Sequence, residues 1–308
     1  MNKILITGGA GFIGSNLSNH LTQNSDNYIY CLDNLITGCK KNIDDLLNYD
    51  NFEFIEHDIC ESFDLSVNQI YNLACPASPI QYQKNPFETI DANIIGVKNI
   101  LEIAKKYNAT ILQASTSEIY GDPLIHPQNE TYYGNVNTFG IRSCYDEGKR
   151  MAETLLFNYH KHHKTDIRIA RIFNTFGPNM QKNDGRVVSN FINQAINNEN
   201  ITIYGEGFQT RSLCYIDDMI VGLNSLMNSK YNRPINIGND DEMQIIDLAK
   251  KILDITGSKS EIIHEKFPDD DPKQRRPDIS KAKDILNFSP SHSISEGLKK
   301  TINYFKEL

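Results

Sequence analysis

The 308-residue sequence has no basic excess: 31 Lys and Arg stand against 39 Asp and Glu, a net charge of −8. A nucleic-acid surface needs a basic patch, so this balance gives no support to one. No apolar run is long enough to span a bilayer, so no membrane segment is expected. Met1 leads almost directly into Lys3-Ile4-Leu5-Ile6, a core-strand pattern, which leaves no room for a signal peptide. The six cysteines (Cys31, Cys39, Cys60, Cys75, Cys144 and Cys214) form neither a C-x-x-C pair nor a metal-ligand spacing. They are read as free thiols in a reducing compartment, with no bound metal. Gly/Ser linkers, low-complexity tracts and internal repeats are missing too. The reading is a soluble, cytoplasmic chain.

What is present suits a globular protein. Hydrophobic residues make up 39% and charged residues 23%, which excludes disorder and fibrous repeats. The length allows one large or two moderate domains. In the N-terminal half, short apolar runs alternate with longer helical patterns. Candidate strands are Lys3–Thr7, Tyr28–Asp33, Phe52–His57, Gln69–Leu73, Thr110–Ser115 and Ile167–Ile172. Helix-like stretches cover Phe12–Gln23, Pro86–Tyr107 and Tyr145–His163. This alternation predicts an α/β fold, a Rossmann-like doubly wound parallel sheet over residues 1–173. Beyond about Asn174 the pattern loosens, with Pro/Gly-punctuated stretches at Asn174–Gly185 and Phe267–Pro277. Shorter helices are expected at Val187–Asn197, Ile216–Met227 and Ile245–Thr256. Residues 174–308 are therefore read as a smaller substrate-binding region packed on the first.

Gly8, Gly11 and Gly14 form a G-x-x-G-x-x-G spacing between the first strand and the first helix. Glycine there lets the chain turn tightly and lets a pyrophosphate approach the N–H groups at the helix start. Asp33 lies nineteen residues beyond Gly14, at the end of the second strand, where a carboxylate receives adenosine ribose hydroxyls. A carboxylate repels a 2′-phosphate and no arginine sits beside it, so NAD is expected over NADP. A strand-end aspartate capping a turn is the plain alternative. Asp58, after the third strand, is a candidate for the adenine amino group. The expected cofactor set is Gly8, Gly11, Phe12, Ile13, Gly14, Asp33, Asn34, Thr37, Gly38, Asp58 and Ile59.

Tyr145 and Lys149 stand four residues apart, on one face of a predicted helix. A nearby ammonium lowers a phenol's pKa and makes it a general base. A solvated helix pair has the same spacing, so the motif needs company. Ser115-Thr116-Ser117-Glu118 supplies it, gathering hydroxyls and a carboxylate at the end of a parallel strand, where such sheets bind ligands.

Five stretches are more specific: Ala74–Pro79, Ser115–Pro123, Arg142–Arg150, Arg171–Pro178 and Asp271–Asp278. Through them the whole chain resembles the UDP-glucuronic acid decarboxylases, or UDP-xylose synthases, of the extended short-chain dehydrogenase/reductase family. The resemblance implies that Tyr145 and Lys149 are the oxidation base and its partner. Thr116 would bond the sugar beside Tyr145, Glu118 would act at C5, and Arg275 would lie near the sugar carboxylate. Asn174 and Arg211 would hold the pyrophosphate of a UDP-sugar, UDP-glucuronate, while Arg186, Val188, Tyr204 and Gln209 line its nucleotide pocket. Leu73, Ala74 and Ala77 would flank NAD, which Tyr145 and Lys149 also border. Relatives pair through the helices corresponding to Pro86–Tyr107 and Tyr145–His163, so a two-fold homodimer is implied.

The chain departs from the family at Asp91-Ala92, where relatives carry lysine and threonine, and at Ser62-Phe63-Asp64. The missing lysine is expected to meet the anionic substrate, so one substrate contact is in doubt. The nearest rival reading is a nucleotide-sugar 4,6-dehydratase, which resembles this chain but carries Thr-Asp-Glu at Thr116-Ser117-Glu118. A decarboxylase expels no hydroxyl, so serine suffices there. A 4-epimerase needs no glutamate at this place. A non-catalytic NAD-binding regulator would often lose the Tyr145–Lys149 pair, and a decarboxylase stopping at the 4-keto pentose stays open.

Overall fold

Along the first strand Ile4 and Ile6 bury into one hydrophobic cluster and Leu5 into another, so both faces of the strand are covered. A strand apolar on both sides belongs in the middle of a parallel sheet. The computed structural model, which describes residues 1–266 and 274–308, places it there. The strands are β1 (Asn2–Thr7), β2 (Asn27–Asp33), β3 (Phe52–Glu56), β4 (Gln69–Asn72), β5 (Thr110–Thr116) and β6 (Ile167–Ile172). A seventh strand, Pro234–Ile237, pairs with β6. The order is Pro234–Ile237, β6, β5, β4, β1, β2, β3, and all neighbours run parallel.

Helices cover both faces, giving the Rossmann-like doubly wound arrangement. On one side α4 (Val97–Tyr107) and α5 (Ser143–His163) close the cluster of Leu5, Leu32, Ile70, Ile111 and Ile169. On the other, α1 (Phe12–Thr22) and the Ile216–Met227 helix pack with Ile4, Ile6, Ile29, Leu112 and Ala170. That second cluster continues into the helices Val187–Ile196, Ile245–Thr256 and Ile294–Glu307.

Two features differ from the pattern reading. The sheet takes its edge strand and one covering helix from beyond residue 173, so residues 174–308 build sheet as well as cavity wall. The stretch Pro86–Tyr107, read as one helix, is α3 (Pro86–Asp91), a π-helical turn (Ala92–Gly96) and α4. Asn93 sits in that turn, buried, donating to the Thr89 carbonyl (2.8 Å) and to Cys75 Sγ (3.1 Å). A π turn widens a helix at a crowded contact, often at a functional site.

Three residues of the Asp271–Asp278 motif, Asp271, Pro272 and Lys273, lie outside the described residues, as does 267–270 of Phe267–Pro277. All six cysteines are free thiols. Among the described residues no helix is long and apolar enough to cross a membrane, and no group of three His, Cys, Asp or Glu could hold a metal.

Candidate active site

The carboxyl ends of β1, β2, β4, β5 and β6 open into one cavity of about 770 Å³. Its cofactor-like end begins at the glycine turn. Gly8 has φ +66°, and a Cβ on it would press to 2.9 Å on the Ala74 backbone. A side chain on Gly14 would overlap the Gly8 carbonyl. Gly8, Gly11, Phe12, Ile13 and Gly14 all line the cavity at the start of α1.

Asp33 faces the same space while holding the loop around it. It accepts from the N–H of Ala10 (3.0 Å) and of Leu35 (2.8 Å). Burial pushes its carboxyl up, and the N–H groups of Leu35, Ala10 and Gly11 pull it back only in part. Asn34 and Thr37 line the cavity beside it, with Asp58, Ile59, Leu73, Ala74 and Ala77. Asp58 accepts from Asn34 Nδ2 (2.9 Å) and from the Cys60 N–H (2.8 Å). Burial opposes its ionisation, but these bonds outweigh it and hold the carboxyl below the usual range. Gly38 is the one residue of the expected set that does not line the cavity. A Cβ there would meet Asp33 Oδ1 at 2.6 Å, so its smallness serves the carboxylate.

At the centre stand the groups of β5 and α5. Thr116 ends β5, and its hydroxyl accepts from the Glu118 N–H (3.2 Å), starting the short helical turn Ser117–Tyr120. Tyr145 is buried, stacked on Tyr82 with ring centroids 5.1 Å apart. Lys149 Nζ lies 5.7 Å from the Tyr145 ring centre and donates to the Ala114 carbonyl (2.9 Å). The expectation that Lys149 lowers the Tyr145 pKa needs correcting. Burial is the largest influence and pushes the phenol up, as does Cys75, while the bonded Thr116 hydroxyl and the Arg186 charge pull it down. Burial also lowers Lys149 itself.

Glu118 is held between two guanidinium groups. One oxygen pairs with Arg142 and the other with Arg275. Arg275 is 4% exposed, donating also to Ser117 Oγ (3.3 Å) and the Gly121 carbonyl (3.1 Å). Burial pulls its guanidinium down to about 10. Asn174, Arg186, Val188, Tyr204, Gln209 and Arg211 line the far end of the cavity. There Gln209 donates to the Tyr204 carbonyl (2.8 Å), Arg211 to the Thr210 carbonyl (2.9 Å), and Arg186 pairs with Asp184 at 3.4 Å.

Sequence reading gave no role to Arg142, Tyr82 or Cys75, all of which line this cavity. Arg142 had a local signal, standing three residues before Tyr145; Tyr82 had none. Asp91 also lines the cavity, so the departure from lysine puts an acid on its wall. Asp64 lies at the surface instead, accepting from Lys106 (2.6 Å) and Tyr107 (2.9 Å).

A family model described as GDP-mannose 4,6 dehydratase matches residues 5–301. The chain is 53% identical to UDP-glucuronic acid decarboxylase 6 of Arabidopsis thaliana over 296 residues, covering 96% of this chain and 86% of that one. It is 50% identical to UDP-glucuronic acid decarboxylase 1 of Xenopus tropicalis over 305 residues, covering 99% and 72%. The chain belongs to the UDP-glucuronic acid decarboxylase family. Its fold superposes with a TM-score of 0.90 on UDP-glucuronic acid 4-epimerase from Bacillus cereus in complex with UDP-glucuronic acid and NAD, at 32% identity and 99% coverage of both chains. UDP-glucose 4-epimerase from Thermotoga maritima, solved with UDP-glucose, superposes equally well at 28% identity, again with 99% of both chains covered. Epimerases and decarboxylases share this scaffold, so the reaction is decided by side chains and not by the fold.

Proposed function

We propose that the chain is an NAD-dependent carboxy-lyase converting UDP-glucuronate to UDP-xylose and carbon dioxide, working in the cytoplasm, where its thiols stay reduced. Residues 1–173 mainly hold NAD and residues 174–308 mainly hold the UDP-sugar. The observation that carries this reading is Glu118 between Arg142 and Arg275, in one cavity with Tyr145 and the glycine turn. A neutral-sugar epimerase needs no such cluster. A 4,6-dehydratase needs an acid for the departing C6 hydroxyl, and Ser117 stands in that place.

The residues fit NAD. A turn too tight for side chains starts α1, a buried carboxylate stands at the end of β2, and both line the cavity. Bound NAD supplies hydride acceptance from C4 of the sugar and its return at the end. Tyr145 takes the C4 hydroxyl proton and then, as a neutral phenol, donates back to the C4 oxygen. The 4-keto sugar carries its carboxylate β to the ketone and loses carbon dioxide. The enolate charge gathers on the C4 oxygen, where Tyr145 and Thr116 donate. Glu118, which takes up a proton from solvent once the carboxylate has left as carbon dioxide, delivers it to C5, directly or through a water. Purified protein incubated with UDP-glucuronate and a trace of NAD is expected to give UDP-xylose. A hexose that has lost water would reject the reading.

Asp33 sets the cofactor preference. Asp33→Asn is expected to raise NADP affinity relative to NAD in a binding titration. Because Asp33 also anchors Ala10 and Leu35, the variant should lose about 1–2 kcal/mol of stability. Equal affinity of the unmodified protein for both cofactors would contradict this role.

The protein is proposed to act as a two-fold homodimer. Phe87, Ile94, Ile95, Met151 and Phe157 expose apolar side chains on α3, the π turn and α5, a surface suited to a four-helix contact. Light scattering at micromolar concentration should give the dimer mass; a monomer mass would refute it.

A further inference from the structure

Glu118 faces a competition that the substrate must enter. Its two oxygens are divided between Arg275, which is buried, and Arg142, which stands at the start of α5. Arg142 is itself mostly buried, 13% exposed, with Asp146 3.9 Å away and the cavity in front of it. Arg275 has a fixed seat, held by Ser117 Oγ and the Gly121 carbonyl. A sugar carboxylate arriving at Arg275 meets Glu118 already there, and two carboxylates on one guanidinium repel each other. Glu118 can yield Arg275 only if another cation keeps it.

We propose that Arg142 is a positioning residue that selects for an acidic sugar, holding Glu118 so that Arg275 is left to the substrate carboxylate. This rests on the reading of UDP-glucuronate as substrate. Among the described residues, Arg142 and Arg275 are the cations paired with Glu118. With Arg142 gone, Glu118 settles on Arg275 and competes with the substrate. The effect of Arg142 on binding therefore exists only for a ligand that carries a carboxylate. It exists only while residue 118 is an anion. A residue with a merely structural role meets neither condition.

Calorimetric titration of UDP-glucuronate and UDP-xylose, which differ by that carboxylate, separates the cases. Arg142→Met and Arg142→Gln both remove the charge, so either one that folds reads the effect. Each is expected to weaken UDP-glucuronate about tenfold and to leave UDP-xylose within about twofold. Adding Glu118→Gln to Arg142→Met should restore UDP-glucuronate affinity to near that of Glu118→Gln alone, without restoring turnover. Equal weakening of both ligands would overturn the proposal, as would a double variant binding no tighter than Arg142→Met. Unmodified protein that binds UDP-xylose but not UDP-glucuronate would overturn the substrate reading itself, and this proposal with it.

Discussion

Tyr145→Phe is expected to lower kcat by about a thousandfold while NAD and UDP affinities change little. The substitution removes one hydroxyl and keeps the ring, so the stack on Tyr82 survives and the cavity keeps its shape. What is lost, in the proposed mechanism, is the acceptor of the C4 hydroxyl proton and, after oxidation, the donor to the developing enolate. Since burial pushes this phenol above its ordinary value, the phenolate is scarce at neutral pH and becomes more abundant as pH rises. In the unmodified protein kcat/KM should accordingly climb with pH until the phenol is titrated. In Tyr145→Phe that limb should vanish with the base. Near-normal turnover in the variant would remove Tyr145 from the mechanism.

Glu118→Gln acts later in the cycle. The amide cannot deliver a proton to C5, so turnover should fall about a hundredfold or more. Oxidation at C4 does not use Glu118, so reduced cofactor should build up on the variant during turnover, visible by its absorbance. A second effect follows from the ion pairs. Removing the anion leaves the buried Arg275 without its carboxylate, and breaking such a pair costs about 3–5 kcal/mol. The substrate carboxylate can replace it. UDP-glucuronate should therefore raise the melting temperature of Glu118→Gln more than that of the unmodified protein, whereas UDP-xylose should not. Unchanged turnover, or no build-up of reduced cofactor, would take the C5 proton away from Glu118.

Much of this site was legible because its signals are local. Short apolar runs mark β1 to β6 to within a residue or so at each end, since strands covered on both faces are mostly apolar. Gly8, Gly14 and Asp33 could be read as a unit because one βαβ segment fixes their spacing. Helical geometry places Tyr145 and Lys149 on one face, and the resemblance makes them base and partner. The end of a predicted strand singles out Thr116 and Glu118; resemblance adds Arg275 and implies the roles of all three.

Other features depend on the assembled chain. The strand Pro234–Ile237 is four residues long, opens with proline and carries a buried asparagine, so no pattern announces it. The π turn at Ala92–Gly96 has no residue signature of its own, and in the structure its Asn93 packs against Gly148 and Cys75. The Arg142–Glu118 pair joins residues 24 positions apart, and Arg275 reaches Glu118 from near the end of the chain. Such pairings are set by tertiary structure, and neither spacing nor composition encodes them. Burial, the largest influence on the Tyr145 phenol, is likewise not visible in a motif.

The most direct test of the account is to run the reaction in heavy water and locate the label in the product. Decarboxylation followed by protonation at C5, with the hydride returning to C4 from the same cofactor, predicts UDP-xylose with one deuterium at C5 and none at C4. Deuterium at C4, or a six-carbon product, would contradict it.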